Sequence, residues 1–301
     1  MRWLLFLTMV QFAWSRPGTA QDSVRNDTAV VISRNALANG HLVESSALIR
    51  SQTQPGVFWT LNDSGNPAEL FAIDTAGHDL GVFRVEGAEN RDWESLGYAR
   101  CGSRMCLYIG DTGDNRSRYP AVEIYRVPEP VIRPGETGHA VRANGKITIT
   151  YPDGPRDVEA MFVSPASDIY LISKGRTGGV RLYMIRATTW TSPMAGTVAQ
   201  FVETLPIPAG RGGRYQVTDA SLAADGIHVA IRTYAFIYFF QLAAHHLTAE
   251  SSRPTCDAQM DVQGEGIAWL ADGTLATTSE RVAVLGKTIS VVRCSIGVRG
   301  Q

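Results

Sequence analysis

Five times along the chain an acidic residue stands at the head of a short apolar run. Glu44 precedes Ser45-Ser46-Ala47-Leu48, Glu94 precedes Ser95-Leu96-Gly97-Tyr98, and Glu159 precedes Ala160-Met161-Phe162-Val163. Asp219 precedes Ala220-Ser221-Leu222, and Glu265 precedes Gly266-Ile267-Ala268-Trp269. Carboxylates gathered in one place repel one another, so some must hold a proton or a cation must sit among them. An all-oxygen donor set suits a hard ion, and Ca²⁺ accepts roughly six to eight oxygens in flexible geometry. Nitrogen ligands are scarce near these runs, which argues against zinc or copper. Two registers stay open. Matching Leu48 to Leu96 puts Ser46 rather than Glu44 opposite Glu94, and matching Asp225-Gly226 to Asp272-Gly273 puts Thr218 rather than Asp219 opposite Glu265. The candidate metal ligands are therefore Glu44, Ser46, Glu94, Glu159, Thr218, Asp219 and Glu265. The competing role for the same residues is structural: polar groups that tie neighbouring elements together.

A second set follows the next apolar run in each case. Asn62-Asp63-Ser64-Gly65-Asn66 and Gly110-Asp111-Thr112-Gly113-Asp114-Asn115-Arg116 are rich in turn formers, which is ordinary loop chemistry. Their recurrence in equivalent places makes Asp63, Asp111 and Asp114 candidates for a catalytic base or a second-metal ligand. Asn62, Asn115, Arg116, Lys174, Arg176 and Arg232 are the candidates for binding an anionic substrate, because guanidinium and ammonium groups match phosphate and carboxylate oxygens. Gly210-Arg211-Gly212-Gly213-Arg214 is a further basic loop. No Gly-x-Ser-x-Gly elbow, Walker loop or His-Glu-x-x-His motif occurs. The pair His245-His246 reads as a solvated loop after an apolar strand.

The elements that must position these residues are short strands. The acid-led runs start 50, 65, 60 and 46 residues apart (44 to 94, 94 to 159, 159 to 219, 219 to 265). A repeat of about 50 residues built from short strands indicates a β-propeller. Further β-branched and aromatic runs, such as Glu69-Leu70-Phe71-Ala72-Ile73 and Val122-Glu123-Ile124-Tyr125-Arg126-Val127, bring each repeat towards four strands. The last repeat lacks a fourth strand, and Ala29-Val30-Val31-Ile32-Ser33 precedes the first. Lending that N-terminal strand to the last blade closes the ring. The expectation is an all-β propeller of five four-stranded blades, with six as the alternative because the 65-residue repeat has room for a degenerate blade. In such a ring the acids converge at one mouth of the central channel.

Of the 301 residues, 44% are hydrophobic and 19% charged, which supports a core and excludes a disordered chain. A net charge of −1 offers no basic excess for nucleic acid. Arg2, the apolar run from Leu4 to Trp14, and small residues at Gly18 and Ala20 read as a signal peptide over residues 1–20. Residues 21–301 then form one propeller domain, secreted or periplasmic, with no membrane span in the mature chain and expected to be monomeric. Four cysteines suit an oxidising compartment. Cys101 and Cys106 bracket a turn and suit a cross-strand bridge, leaving Cys256 and Cys294, although four cysteines permit three connectivities.

The arrangement resembles the metal-dependent propeller hydrolases: calcium-activated nucleotidases of the apyrase type, phytase-like propellers and the gluconolactonase group. The nucleotidase likeness lies in Ser46, Glu94, Glu159, Thr218 and Glu265 at successive strand entries. The phytase likeness lies in Asp92-Trp93-Glu94, Asp157-Val158-Glu159 and Gln263-Gly264-Glu265-Gly266. The two Gly/Asp/Asn loops are also similar to those of secreted bacterial propellers of unassigned function. The resemblance implies an axial Ca²⁺ and hydrolysis of phosphate esters or anhydrides at the channel mouth, with an anionic small molecule as substrate. The alternative is a non-catalytic propeller that binds an extracellular glycan, peptide or protein. A lactonase is a third reading.

Overall fold

The computed structural model describes residues 27–133, 138–190, 194–210, 213–250, 256–258, 261, 263–280 and 286–294. The expected signal peptide at 1–20, and Arg211 with Gly212 of the basic loop, lie outside the described residues.

Five sheets form five blades, each built on four antiparallel strands. Blade one holds Ser45–Arg50, Phe58–Asn62, Glu69–Ile73 and Asp79–Glu86, from the channel outward. Blade two holds Trp93–Cys101, Arg104–Asp111, Val122–Pro128 and Gly145–Thr150. Blade three holds Val158–Val163, Ile169–Ser173, Arg181–Ile185 and Gln200–Thr204. Blade four holds Val217–Leu222, His228–Thr233, Phe236–Ala243 and Cys256–Asp257. Blade five takes Gly264–Trp269, Leu275–Ser279 and Thr288–Arg293 from the end of the chain and Val30–Ala36 from its start. The N-terminal strand therefore closes the ring, as the orphan run at 29–33 implied.

Sequence pattern follows radial position. Val158–Val163 is buried at every position and is apolar throughout apart from the bulged Glu159, because an inner strand is covered on both faces. Gly145–Thr150, the fourth strand outward, alternates buried and half-buried residues with the period of two expected of a half-covered strand. Each inner strand packs against the next around the ring, and Gly264–Trp269 packs against Ser45–Arg50 to complete it. The core is divided accordingly. One apolar cluster fills each gap between adjacent blades, such as Trp59, Phe83 and Trp93 between blades one and two.

Among the described residues the long repeats form no sixth blade. Their extra residues supply strands that reach back to the preceding blade. His139–Arg142 pairs in parallel with Asp79–Glu86, and Met194–Val198 pairs in parallel with Gly145–Thr150. Asp27–Thr28 does the same with Cys256–Asp257. Each addition covers a blade edge that would otherwise expose unpaired backbone.

Disulfides join Cys101 to Cys106 across one hairpin and Cys256 to Cys294 between blades four and five. The second fastens the two blades that the N-terminal segment also bridges, so the ring is closed at one seam by hydrogen bonds and a covalent link. Among the described residues no helix is long and apolar enough to cross a membrane. His245 lies in the turn after Phe236–Ala243, as expected, whereas His246 opens a short strand, His246–Ala249, paired with it.

Candidate functional site

Every inner strand carries a β-bulge near its start. In blade one Ser45 pairs with Asn62 and Ala47 with Leu61, leaving Ser46 extra. The same count leaves Glu94, Glu159 and Thr218 extra in blades two, three and four, and one residue of Glu265-Gly266 in blade five. A bulge turns a side chain out of the normal pleat. Ser46 and Thr218, not Glu44 and Asp219, are thus the positions equivalent to Glu94, which resolves the two registers.

The acids gather at one mouth. Carboxylate oxygens of Asp63, Asp92 and Glu94 all lie within 4.8 Å of one another. Glu94 and Asp92 are buried and Asp63 is half-buried. Ser46 Oγ donates to Glu94 Oε2 at 2.7 Å, and the Ser64 amide donates to Asp63 Oδ1. Asn90 Nδ2 donates to the carbonyls of Asn62 and Asp63 at 3.1 and 2.9 Å, pinning the blade-one loop to blade two. Burial, with the charges of Asp63 and Asp157, pushes Asp92 up to about 7. Burial, reinforced by Glu159 and Asp63, holds Glu94 well above the usual carboxylate range. Glu280 is pushed up to about 7 by burial and by Asp63 and Glu44. Glu265 is raised by burial and by Glu280 and Glu159. This is the signature of too much negative charge in too little water.

Among the acids sits a buried lysine. Lys174 Nζ sits 2.6 Å from Glu159 Oε1, both groups buried. Burial opposes its charge, but Glu159 and the neighbouring Tyr234, Glu94 and Asp157 outweigh that cost and hold the amine above its ordinary value. Lys174 therefore balances the Glu159 side of the ring, while no lysine or arginine forms an ion pair with Asp63, Asp92 or Glu94 among the described residues. The acid side accordingly has the donor chemistry for a hard cation.

Several expected site residues make hydrogen bonds that tie the ring together. Asp219 is fully buried and accepts the amides of Leu48, Ile267 and Ala220 at 3.1, 2.8 and 2.8 Å, stapling blades one, four and five. Thr218 Oγ1 donates to the Glu265 carbonyl at 3.0 Å. Arg232 has no exposed surface. It donates to Asp261 Oδ2 at 2.7 Å and to the Gly266 carbonyl at 3.0 Å, so it faces protein rather than substrate. Asn62 Oδ1 accepts the amides of Val43 and Glu44 at 2.9 and 3.0 Å, and Asp111 Oδ1 accepts that of Asp92 at 2.7 Å. These two residues do the same work in adjacent blades: each caps the loop that enters its own inner strand. Burial raises Asp111 to about 6, against the opposing pull of the Asp92 amide. Asp114 accepts the Tyr119 amide at 2.7 Å while its own amide donates to Asp157 Oδ1 at 2.9 Å. Glu44, half-buried, accepts from Asn66 Nδ2 at 2.8 Å. Asn115, Arg116 and Arg176 line a cleft that adjoins the acids through Asp157, with no ion pair from them to Asp63, Asp92 or Glu94 among the described residues.

The sequence reading did not assign Asp92 and Asp157 to the site. Their signal was visible in the doublet Asp92-x-Glu94 and Asp157-x-Glu159, which places a second acid two residues ahead of two successive bulges. Asp157 Oδ2 is buried with no hydrogen-bond partner among the described residues. Gly113 was also missed; its role is to let the blade-two loop lie directly against Asp92 and Glu94.

No protein-family model matches the chain, and no curated protein matches it in sequence. Solved structures do. A glutaminyl cyclase of Myxococcus xanthus aligns with 13% identity and a TM-score of 0.51 over 89% of this chain and 97% of that one. The PQQ-bound aldose sugar dehydrogenase of Streptomyces coelicolor aligns with 12% identity and a TM-score of 0.51, covering 89% and 98%. At such identity the likeness shows the propeller fold alone.

Proposed function

We propose that the chain is a secreted or periplasmic divalent-cation-dependent hydrolase of phosphate esters or anhydrides, acting at the acid-lined mouth of the propeller, with Ca²⁺ as the cation. The observation that supports this reading is the convergence of Asp63, Asp92 and Glu94 within 4.8 Å without a cationic side chain paired to them. These three carboxylates would hold the ion, with Ser46 fixing Glu94 through its 2.7 Å hydrogen bond. The ion, when bound, would supply Lewis-acid polarisation of a phosphoryl oxygen and a more acidic water. Lys174, fixed by Glu159, would add fixed positive charge at the mouth, where it counters charge developing on the substrate. Asp63 is the half-buried member of the trio and has the open edge to solvent that a proton acceptor or substrate-facing ligand needs. Two disulfides accord with an oxidising compartment.

The test is a thermal melt after chelation, repeated across a calcium series, followed by a phosphoester and nucleotide screen. A site filled to a hundred times its dissociation constant adds about 2.7 kcal/mol, a visible shift in Tm. A saturable, ion-specific rise with metal-dependent turnover is the expected result. No shift with any divalent ion would overturn the cation site. A shift without turnover on any substrate would favour a non-catalytic binding propeller, the reading supported by how many polar ring residues, Asp219 and Arg232 among them, are spent on interblade bonds.

A further inference from the structure

Next to the acid cluster lies a cleft of about 720 Å³ whose wall includes Arg116, Arg118, Arg156, Arg176, Arg181 and Asp157. The arginines come from the loop after the second strand of blade two (Arg116, Arg118), the approach to blade three (Arg156), the turn joining the second and third strands of blade three (Arg176) and the start of that third strand (Arg181). Arg176 is held in place by donating to the Asn115 carbonyl at 3.2 Å, and it stands 3.9 Å from Asp157 Oδ2. Arg156 donates to Tyr183 Oη at 3.2 Å and pairs with Asp153, which also pairs with Arg181. Arg116 and Arg118 are exposed and make no hydrogen bond or ion pair among the described residues.

Five arginines thus line the cleft, and two carboxylates pair with three of them: Asp153 with Arg156 and Arg181, and Asp157 with Arg176, in a chain whose overall charge is only −1. Arginine cannot shed its charge by deprotonation, so the local excess persists at any working pH. The nearby acids do not cancel it, because the ion pairs that reach the cleft stop at Asp157 and Asp153. Guanidinium forks are matched to oxyanions with two or more oxygens, and several forks on different walls suit a ligand carrying several such groups. From this geometry we infer that the cleft binds a small polyanion with at least two phosphate-type groups. That this ligand is the substrate, with one group directed toward the acid cluster across Asp157, rests on the hydrolase reading; the binding itself does not.

Calorimetric titration of the full chain with inorganic pyrophosphate, in chelator and at physiological salt, tests the cleft without involving a metal. Pyrophosphate should bind with one equivalent per chain, and inorganic phosphate at least about tenfold more weakly because it engages fewer forks. The double variant Arg116→Ala/Arg118→Ala removes two exposed, unpaired side chains and should fold normally. It should weaken pyrophosphate by about tenfold or more, while Arg104→Ala, an exposed arginine outside this cleft, should change nothing. Absence of pyrophosphate binding, equal affinity for phosphate and pyrophosphate, or equal loss in the Arg104 variant would overturn the inference. The calcium melt reports on the acid cluster alone, so failure of either site is seen separately.

Discussion

Gly113 lies against Asp92 so closely that a β-carbon on it would stand 2.5 Å from Asp92 Cγ and 2.8 Å from Glu94 Cγ. The loop that follows the second strand of blade two is thereby a wall of the acid cluster. Its amide donates to the Asp92 carbonyl at 3.1 Å, which fixes the approach. Glycine is present for clearance at this position, not for backbone freedom.

Gly113→Ala should therefore push Asp92 and Glu94 apart. Overpacking of this kind costs about 1–3 kcal/mol. The expected outcome is a Tm lower by several degrees and a weakened calcium response, read by thermal melts with and without the ion. An unchanged melt and an unchanged response would show that the loop can retreat at no cost.

Asp92 and Asp111 are joined by a 2.7 Å hydrogen bond but carry different roles. Asp92→Asn with Glu94→Gln should abolish the calcium-induced rise in Tm, since two of three ligand carboxylates lose charge. Asp111→Asn keeps an acceptor oxygen for the Asp92 amide and should retain most of that rise. Equal loss in both would place Asp111 among the ligands.

The pH dependence has a defined sign. Asp92 and Glu280 titrate near 7 in the folded chain, against 3.8 and 4.5 for the free groups. An acid whose folded value is raised favours folding while protonated, so its contribution is complete below about pH 4 and is lost as pH rises through about 7. Chelated protein should accordingly lose stability between about pH 4 and 8 by these groups. Bound cation favours the ionised carboxylates and should flatten or reverse the trend. Urea unfolding at several pH values, with chelator and with calcium, measures both slopes. A chelated protein that gains stability across the whole window would contradict the assignment.

Arg232 gives a prediction that separates structure from binding. Its guanidinium is wholly buried against Asp261, whose other oxygen accepts from the partly exposed Arg34 at 2.9 Å. Arg232→Ala leaves Asp261 buried with Arg34 and a 3.4 Å bond from Thr277 Oγ1, strips the Gly266 carbonyl of its donor, and should cost about 3–5 kcal/mol in urea unfolding. Affinity for pyrophosphate should be unaffected in the fraction that remains folded. A stable variant with reduced affinity would return Arg232 to the substrate site.

Much of the architecture was legible because it repeats. The acid-led runs mark five inner strands, and the unpaired run at 29–33 marks the closing strand, since a ring with a missing edge strand is unstable until something covers it. The 65-residue repeat was ambiguous for a physical reason. A strand that reaches back to the previous blade, such as His139–Arg142, has the same local pattern as a degenerate blade of its own.

The sequence by itself determined the propeller, its closure, the pairing options of four cysteines and the clustering of carboxylates at strand entries, all of which follow from periodicity and residue type. Only the tertiary structure decided which carboxylates meet. The bulges choose Ser46 and Thr218 over Glu44 and Asp219, and the loop from blade one brings Asp63 to Asp92 and Glu94. It likewise turned Arg232 inward and gathered Arg116, Arg118, Arg156, Arg176 and Arg181 into one cleft. A one-residue slip of register sends a side chain to the opposite face, and charges far apart in sequence acquire their energies only from the neighbours that packing gives them.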